Sequence, residues 1–237
     1  MSSKENQKKK RRRYFFFDFV KITGAIPMLL FFRLKKIRAG NTKSEKIKGA
    51  ALISSNHVTF LDPIIINCLF WRRRVRFLAT KHLYRTKLGA WFFRHLHCIP
   101  VDKENFSMQS THEVCDGLQS GGVISIFPEG MVNRDESKSV LTFKWGAAMM
   151  ALKGNAPIVP VYIVKRTHWY NRQIVVLGDK IDLKQLCGEK PTLADLQKAS
   201  EYLQQKENEL VQYYQTYCEN KKKERMKNGD DKNGNCR

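Results

Sequence analysis

Two short stretches of the chain hold side chains that could move a proton during a carbonyl reaction. The first is Ser55-Asn56-His57-Val58-Thr59-Phe60-Leu61-Asp62-Pro63. His57 stands just past an apolar run, and Asp62-Pro63 has the form of a helix start, an N-cap followed by proline at the first helical position. A tight loop joining a strand end to a helix start brings imidazole and carboxylate together. If Asp62 accepts a hydrogen bond from Nδ1, it fixes the tautomer and leaves Nε2 free to take a proton, which makes a general base with its orienting acid. The plainer alternative is that Asp62 only caps the helix. The second stretch is Ile124-Ser125-Ile126-Phe127-Pro128-Glu129-Gly130, a strand that stops at proline and delivers a carboxylate into a glycine-containing loop. Its plainer alternative is an ordinary strand exit with a surface glutamate.

The elements that must position these groups show in the hydrophobic pattern. From Gly49 onward, short apolar runs alternate with longer amphipathic ones. Strands are predicted at about 50–55, 75–79, 97–101, 123–127, 157–164 and 173–178, and helices at 63–71, 82–94, 107–119, 142–153 and 192–218. Strands alternating with helices indicate an α/β layer, a sheet with helices packed on it. Gly121-Gly122 and Gly154-Asn155 punctuate helix ends just before strands. On this pattern 49–218 is one α/β domain.

Ahead of it lie two segments of different character. Residues 1–13 form a basic tail containing Lys8-Lys9-Lys10-Arg11-Arg12-Arg13, predicted to be disordered. Residues 14–48 hold six of the fourteen Phe together with flanking Arg33, Lys35, Lys36 and Arg38. The longest uncharged run there, Ile22 to Phe32, is eleven residues and contains Gly24 and Pro27. A bilayer span needs about 20 apolar residues, so the segment reads as an interfacial helix or helical hairpin broken near Gly24 and Pro27. A core helix with a solvated basic tail is the alternative. No small-residue cleavage site follows, which argues against a cleavable signal peptide. Residues 219–237 read as a charged flexible tail.

The chain carries 43 Lys and Arg against 22 Asp and Glu, a formal charge of +21. Residues 1–48 contribute 15 basic and 3 acidic side chains, whereas positions 63–101 hold eight basic residues and no acid. Such a distribution suits an anionic partner: membrane surface, phosphorylated metabolite, acidic carrier protein or nucleic acid. The six cysteines are scattered without a C-x-x-C pair and read as reduced thiols.

Taken with the two motifs, further blocks make the chain resemble the glycerophospholipid acyltransferase family, which includes 1-acyl-glycerol-3-phosphate acyltransferases. The blocks stand in family order: Asn56-His57 with Asp62, then Ile99-Pro100-Val101-Asp102-Lys103, then Phe127-Pro128-Glu129-Gly130-Met131-Val132-Asn133-Arg134, then Pro157-Ile158-Val159-Pro160-Val161. The resemblance covers about residues 47–180. It implies a mixed, mainly parallel sheet flanked by helices, with an N-terminal amphipathic helical membrane-docking motif on the cytoplasmic face of the membrane. It implies that His57 takes the proton of an acceptor hydroxyl, that Asp62 holds the imidazole, and that Glu129 helps orient the acceptor within a loop shaped by Phe127, Pro128 and Gly130. Lys103, Arg134, Lys81 and Lys144 would bind the acceptor phosphate. Lys103 replaces the family arginine, keeping charge but losing the bidentate fork, and Val132 replaces the first arginine of the third block. The implied acceptor is therefore a lysophospholipid such as lysophosphatidic acid, with glycerol-3-phosphate or another lyso-lipid open. The donor is acyl-CoA or acyl-carrier protein, with no other cofactor and no metal.

Other residues have competing roles. His95-x-His97 could place two imidazoles on one strand face as metal ligands, and Cys98 or Cys115 could act as a nucleophile. Arg72 to Arg76 reads either as a solvated face or as a lipid-headgroup contact. Trp91-Phe92-Phe93 reads as core ahead of a membrane contact. A non-catalytic basic module binding lipid or nucleic acid is the reading from a different class. Against nucleic acid, most of the excess charge lies beside an aromatic apolar segment that a nucleic-acid arm does not require.

Overall fold

The computed structural model describes residues 14–41, 44–102, 108–135, 137–168, 170–188 and 191–227. Its first element, α1 (Phe15–Phe32), is one helix that runs through Gly24 and Pro27. The predicted break is absent because apolar anchors lie on both sides of the proline. Phe17 is buried on one side and Phe32 on the other, and Met28 packs on the same core. Their contacts outweigh the hydrogen bond that Pro27 removes. Arg33 ends the helix in a left-handed conformation.

Next comes β1 (Lys35–Arg38), a strand inside the segment predicted to be wholly helical. Only Ile37 of Lys-Lys-Ile-Arg is buried, so the strand carries no readable alternation. The remaining elements are β2 (Ala51–Ser55), α2 (Asp62–Leu69), β3 (Val75–Thr80), a 3₁₀ turn (Lys81–Tyr84), α3 (Lys87–His95), β4 (Ile99–Val101), α4 (Met108–Gln119), β5 (Val123–Ile126), α5 (Gly146–Lys153), β6 (Ile158–Ile163), β7 (Ile174–Leu177), α6 (Lys184–Cys187) and α7 (Leu193–Lys227). Helix α7 takes in residues 219–227, expected as part of a flexible tail. Their Lys, Glu and Arg are strong helix formers. The basic tail 1–13 and residues 228–237 lie outside the described residues.

The strands form one seven-stranded sheet in the order β1-β7-β6-β2-β5-β3-β4. All neighbours are parallel except β6 and β7, so the mixed, mainly parallel sheet is as expected. Alternating side chains divide between two cores. Leu52, Ile124, Ile158 and Tyr162 face α4, α5 and α7, and Ile53, Val123, Val159 and Val161 face α1 and α2. Burial on both faces explains why β2, β5, β6 and β7 are apolar or small throughout.

This topology positions the two motifs. Strands β2 and β5 are parallel neighbours with Ser54 opposite Ile126. Their carboxyl ends therefore release the His57 loop and the Glu129 loop side by side, on the sheet edge where open α/β folds place their sites.

Candidate functional site

The loop from Asn56 to Leu61 is wound around one carboxylate. Asp62 is fully buried, and its Oδ2 lies 2.7 Å from His57 Nδ1. The same oxygen accepts from the N–H groups of Val58 at 2.7 Å and Thr59 at 2.8 Å, while Oδ1 accepts from the Thr59 hydroxyl at 2.9 Å. Asp62 is itself the first residue of α2 and makes no capping bond to it. The plain helix-cap alternative therefore fails: the side chain turns back to the loop. With both oxygens accepting, the ring nitrogen facing Asp62 is the protonated one, and Nε2 is left as the acceptor.

Asn56 anchors this loop. Its Nδ2 donates to the Ile163 carbonyl at 3.0 Å, and its Oδ1 accepts from the Ile163 N–H at 2.7 Å. This buried pair ties the end of β2 to the end of β6. On the other side, the Phe127 ring stacks on the His57 imidazole, with centroids 4.2 Å apart and planes 16° from parallel. The ring has one remaining degree of freedom, and Phe127 and Asp62 together remove it.

The loop after β5 closes over the same place. Gly130 has φ +72° and donates its N–H to the Phe127 carbonyl, a turn that a side chain would strain. A Cβ there would also meet Lys144 Nζ at 3.1 Å. The Lys144 N–H donates to the Pro128 carbonyl at 3.0 Å, and the Asn133 N–H to the His57 carbonyl at 2.7 Å. The two motif loops are thus bonded to each other through the backbone. Glu129 is buried rather than a surface residue of a strand exit, and neither of its carboxyl oxygens attains hydrogen-bond geometry. Burial pushes the Glu129 carboxyl up to about 7, opposed by the nearby N–H groups of Leu141 and His57.

The structure therefore brings together His57, Asp62, Glu129, Phe127, Pro128, Gly130 and Lys144. Arg134 is exposed on the same loop, one residue after Asn133. Lys81 stands at the carboxyl end of β3, 3.4 Å from Asp102. Lys103 lies outside the described residues.

The basic run is used differently from either expectation. Arg73 donates to the carbonyls of Ile47, Gly49 and Gly121, Arg74 pairs with Asp18 at 2.6 Å, and Arg76 pairs with Glu113 at 2.5 Å. These three arginines fasten loops and helices to the domain, and Arg72 is left exposed. His95 Nδ1 lies 2.7 Å from the Trp91 carbonyl, and the His97 ring packs on Tyr14. Burial pushes the Cys98 thiol up to about 11 and also raises Cys115, the opposite of nucleophile activation. Cys68, Cys98, Cys115 and Cys187 are free thiols, as expected, whereas Cys218 is disulfide-bonded. The Trp91 stretch is not core: α3 buries none of its residues.

Sequence reading assigned no role to the Asn56 side chain, the Thr59 hydroxyl or Asn133. Asn56 and Thr59 stand inside the His57 motif, and a short polar residue beside a general base is the available signal.

A family model described as Acyltransferase matches residues 35–164. Among curated proteins, the 1-acyl-sn-glycerol-3-phosphate acyltransferase of Bacillus subtilis is 26% identical over 124 residues, 52% of this chain and 60% of that one. The protein of the same name from Borreliella burgdorferi is 28% identical over 159 residues, 66% of this chain and 62% of that one. Tafazzin of Drosophila melanogaster is 28% identical over 160 residues, covering 61% and 41%. The chain thus spans less than two thirds of each relative's length. Among solved structures, the 1-acyl-sn-glycerophosphate (LPA) acyltransferase, PlsC, from Thermotoga maritima shares the fold, with a TM-score of 0.60 and 19% identity over 87% of this chain and 83% of that chain.

Proposed function

Because this chain belongs to the acyltransferase family, we propose that it moves a fatty acyl group from acyl-CoA or acyl-carrier protein to the sn-2 hydroxyl of 1-acyl-glycerol-3-phosphate. The observation that carries the reading is the His57 imidazole held at 2.7 Å by a buried carboxylate that already accepts from three other donors. His57 Nε2 takes the hydroxyl proton as the oxygen attacks the thioester carbonyl, and Asp62 stabilises the imidazolium that forms. Collapse of the tetrahedral intermediate expels the thiolate, which receives the proton from His57. No acyl-enzyme, metal or further cofactor enters. Lys144 and Arg134 on the Glu129 side, Lys81 at the end of β3, and Lys103 supply charge for the acceptor phosphate.

The membrane-facing part of the reading rests on two helices. By length and composition α1 is long enough to cross a membrane, with 18 residues at mean hydropathy 1.7, a longer apolar element than the eleven-residue run suggested. One flank is fastened to the domain: Asp18 pairs with Arg74, and Lys21 donates to the Arg73 carbonyl. The opposite flank exposes Phe15, Phe19, Ile22, Leu29 and Leu30. Helix α3 adjoins it through Phe16, whose ring lies 4.8 Å from Trp91, and it exposes Leu88 and Trp91 beside Lys87 and Arg94. A half-fastened apolar helix beside a basic amphipathic one suits a peripheral enzyme lying on an anionic leaflet.

The test is thiol release from acyl-CoA on vesicles containing lysophosphatidic acid, with glycerol-3-phosphate and other lyso-lipids as alternative acceptors. His57→Ala should abolish release, and equal turnover by that variant would sink the general-base assignment. Serine at Phe15, Phe19, Leu88 and Trp91 should remove the protein from anionic vesicles in flotation.

A further inference from the structure

Behind the site lies a carboxylic acid that the mechanism above does not use. Glu207 sits on α7, beyond the residues matched by the family model, and it is fully buried. The buried stripe of α7 runs through Leu196, Ala199, Leu203, Glu207, Leu210 and Val211, so a glutamate stands where the helical spacing calls for an apolar side chain. Its oxygens, the Ser54 hydroxyl and both Glu129 oxygens fall short of full hydrogen-bond geometry, although the Ser54 hydroxyl and the Asn56 N–H lie beside Glu207 as donors. Buried polar groups left so in a native structure call for an explanation.

The groups facing Glu207 come from three elements. Ser54 and the Asn56 N–H lie at the end of β2, Glu129 in the loop after β5, and Tyr162 on β6. None is a cation. An ionised Glu207 would be an unpaired buried charge beside a second acid, so burial, and then Glu129, push its carboxyl well above the usual carboxylate range. The Ser54 hydroxyl and the Asn56 N–H, both donors toward Glu207, oppose that displacement.

The same face of α7 grips the segment that covers the motif loop. Ser200 and Gln204 precede Glu207 at helical spacing. The Ser200 hydroxyl donates to the Phe143 carbonyl at 3.2 Å, and Gln204 Oε1 accepts from the Phe143 N–H at 3.2 Å. The next residue, Lys144, bonds Pro128. Helix α7 thus holds the Glu129 loop from outside through Phe143 and meets it from beneath through Glu207.

We propose that Glu207 is a positioning residue of the acyl-transfer site, a buried polar side chain that acts through Glu129 to set the Glu129 loop against the His57 loop. The inference rests on the acyltransferase reading. Its prediction is that the neutral, near-isosteric Glu207→Gln keeps kcat within about 3-fold of wild type, whereas Glu207→Leu, which fills the space without polar atoms, lowers kcat by about 10-fold or more at nearly unchanged KM. Glu207→Asp, which withdraws the same group by one methylene, should also lower kcat, and it serves if the leucine protein does not fold. Thermal unfolding is recorded for each variant.

Wild-type turnover on a folded leucine or aspartate variant overturns the proposal, as does loss of activity in a folded glutamine variant. An unfolded glutamine variant would overturn it too, because the amide keeps the size and the polar atoms of the side chain. A wild-type protein without thiol release would instead defeat the acyltransferase reading, so the two failures are told apart.

Discussion

Replacing Asp62 by asparagine separates what the carboxylate does for the fold from what it does for the reaction. In the native site Oδ2 receives three N–H donors and Oδ1 receives the Thr59 hydroxyl. An asparagine can place its carbonyl oxygen in the Oδ2 position and its amide NH2 against the Thr59 oxygen, which is able to accept. The three N–H donors then stay paired and the imidazole keeps its tautomer, while the Thr59 hydroxyl gives up its acceptor and must turn. What disappears is the negative charge that faces the imidazolium in the transition state. Two unit charges about 4 Å apart at an effective dielectric constant of about 20 interact by ~4 kcal/mol. Allowing for residual solvation of the partly exposed His57 ring, the loss should be about 2–4 kcal/mol, or roughly 30- to 1,000-fold in kcat. Alanine at this position is a poorer probe, because it strands four donors at about 1–3 kcal/mol each and threatens the fold. The assay is thiol release at saturating donor and acceptor, with unfolding of both proteins measured in parallel. A folded Asp62→Asn protein whose kcat lies within about 3-fold of wild type, with His57→Ala inactive, would refute the charge-stabilising role.

Two further predictions concern the frame of the site. Asn56→Leu leaves the Ile163 N–H and carbonyl without partners in a buried place, so it should cost about 2–6 kcal/mol and lower the midpoint of thermal unfolding. An unchanged midpoint would show that the β2–β6 tie is dispensable. Glu129 gives a pH signature: its folded pKa, about 7, lies above the unfolded value, so the unfolded chain ionises first and stability falls as pH rises from about 4.5 through 7. Between pH 5 and 8 the wild type should lose about 2–3 kcal/mol that Glu129→Gln keeps. Denaturant titrations of both proteins at the two pH values check this, and a constant difference between them would contradict it.

The parts of the molecule that could be read from the chain are those where one residue type has few alternatives. Buried parallel strands such as Val123–Ile126 announce themselves as apolar runs, and His57, Asp62 and Glu129 lie where those runs end. β1 was hidden because an edge strand buries a single side chain, Ile37, and keeps charge on the rest. Pro27 misled because proline is a helix breaker only where nothing holds the two halves together, and Phe17 and Phe32 do so here. The arginines at 73, 74 and 76 looked like surface charge, since nothing local reveals that their partners, Gly49, Gly121, Asp18 and Glu113, arrive from distant parts of the chain. Glu207 gave a signal of its own, an acid on the apolar stripe of a helix. Its meaning needed the fold, because only the fold shows that this helix packs on β6 and β7, with β2 next to β6 in the sheet.

Three carboxyl groups meet around the site, and their environments give them different work. Asp62 accepts on both oxygens from four donors, which fixes the loop and the imidazole around it. Glu129 lacks any closed hydrogen bond and is pushed toward neutrality near physiological pH, so a modest change in its surroundings, such as a bound phosphorylated acceptor with its attendant lysines, changes its charge. Glu207, facing one acid, hydroxyls and an amide N–H, is pushed well above the usual carboxylate range by its burial and then by Glu129. A single buried region thus holds three carboxyl groups, one closed by four donors and two that fall short of full hydrogen-bond geometry. Meanwhile part of the positive charge of the chain is structural, with Arg73, Arg74 and Arg76 tying loops and helices to the domain. On the reading proposed above, His57 acts as base in a protein of net charge +21. The local field at His57 is set foremost by the Asp62 carboxylate, 2.7 Å from the ring.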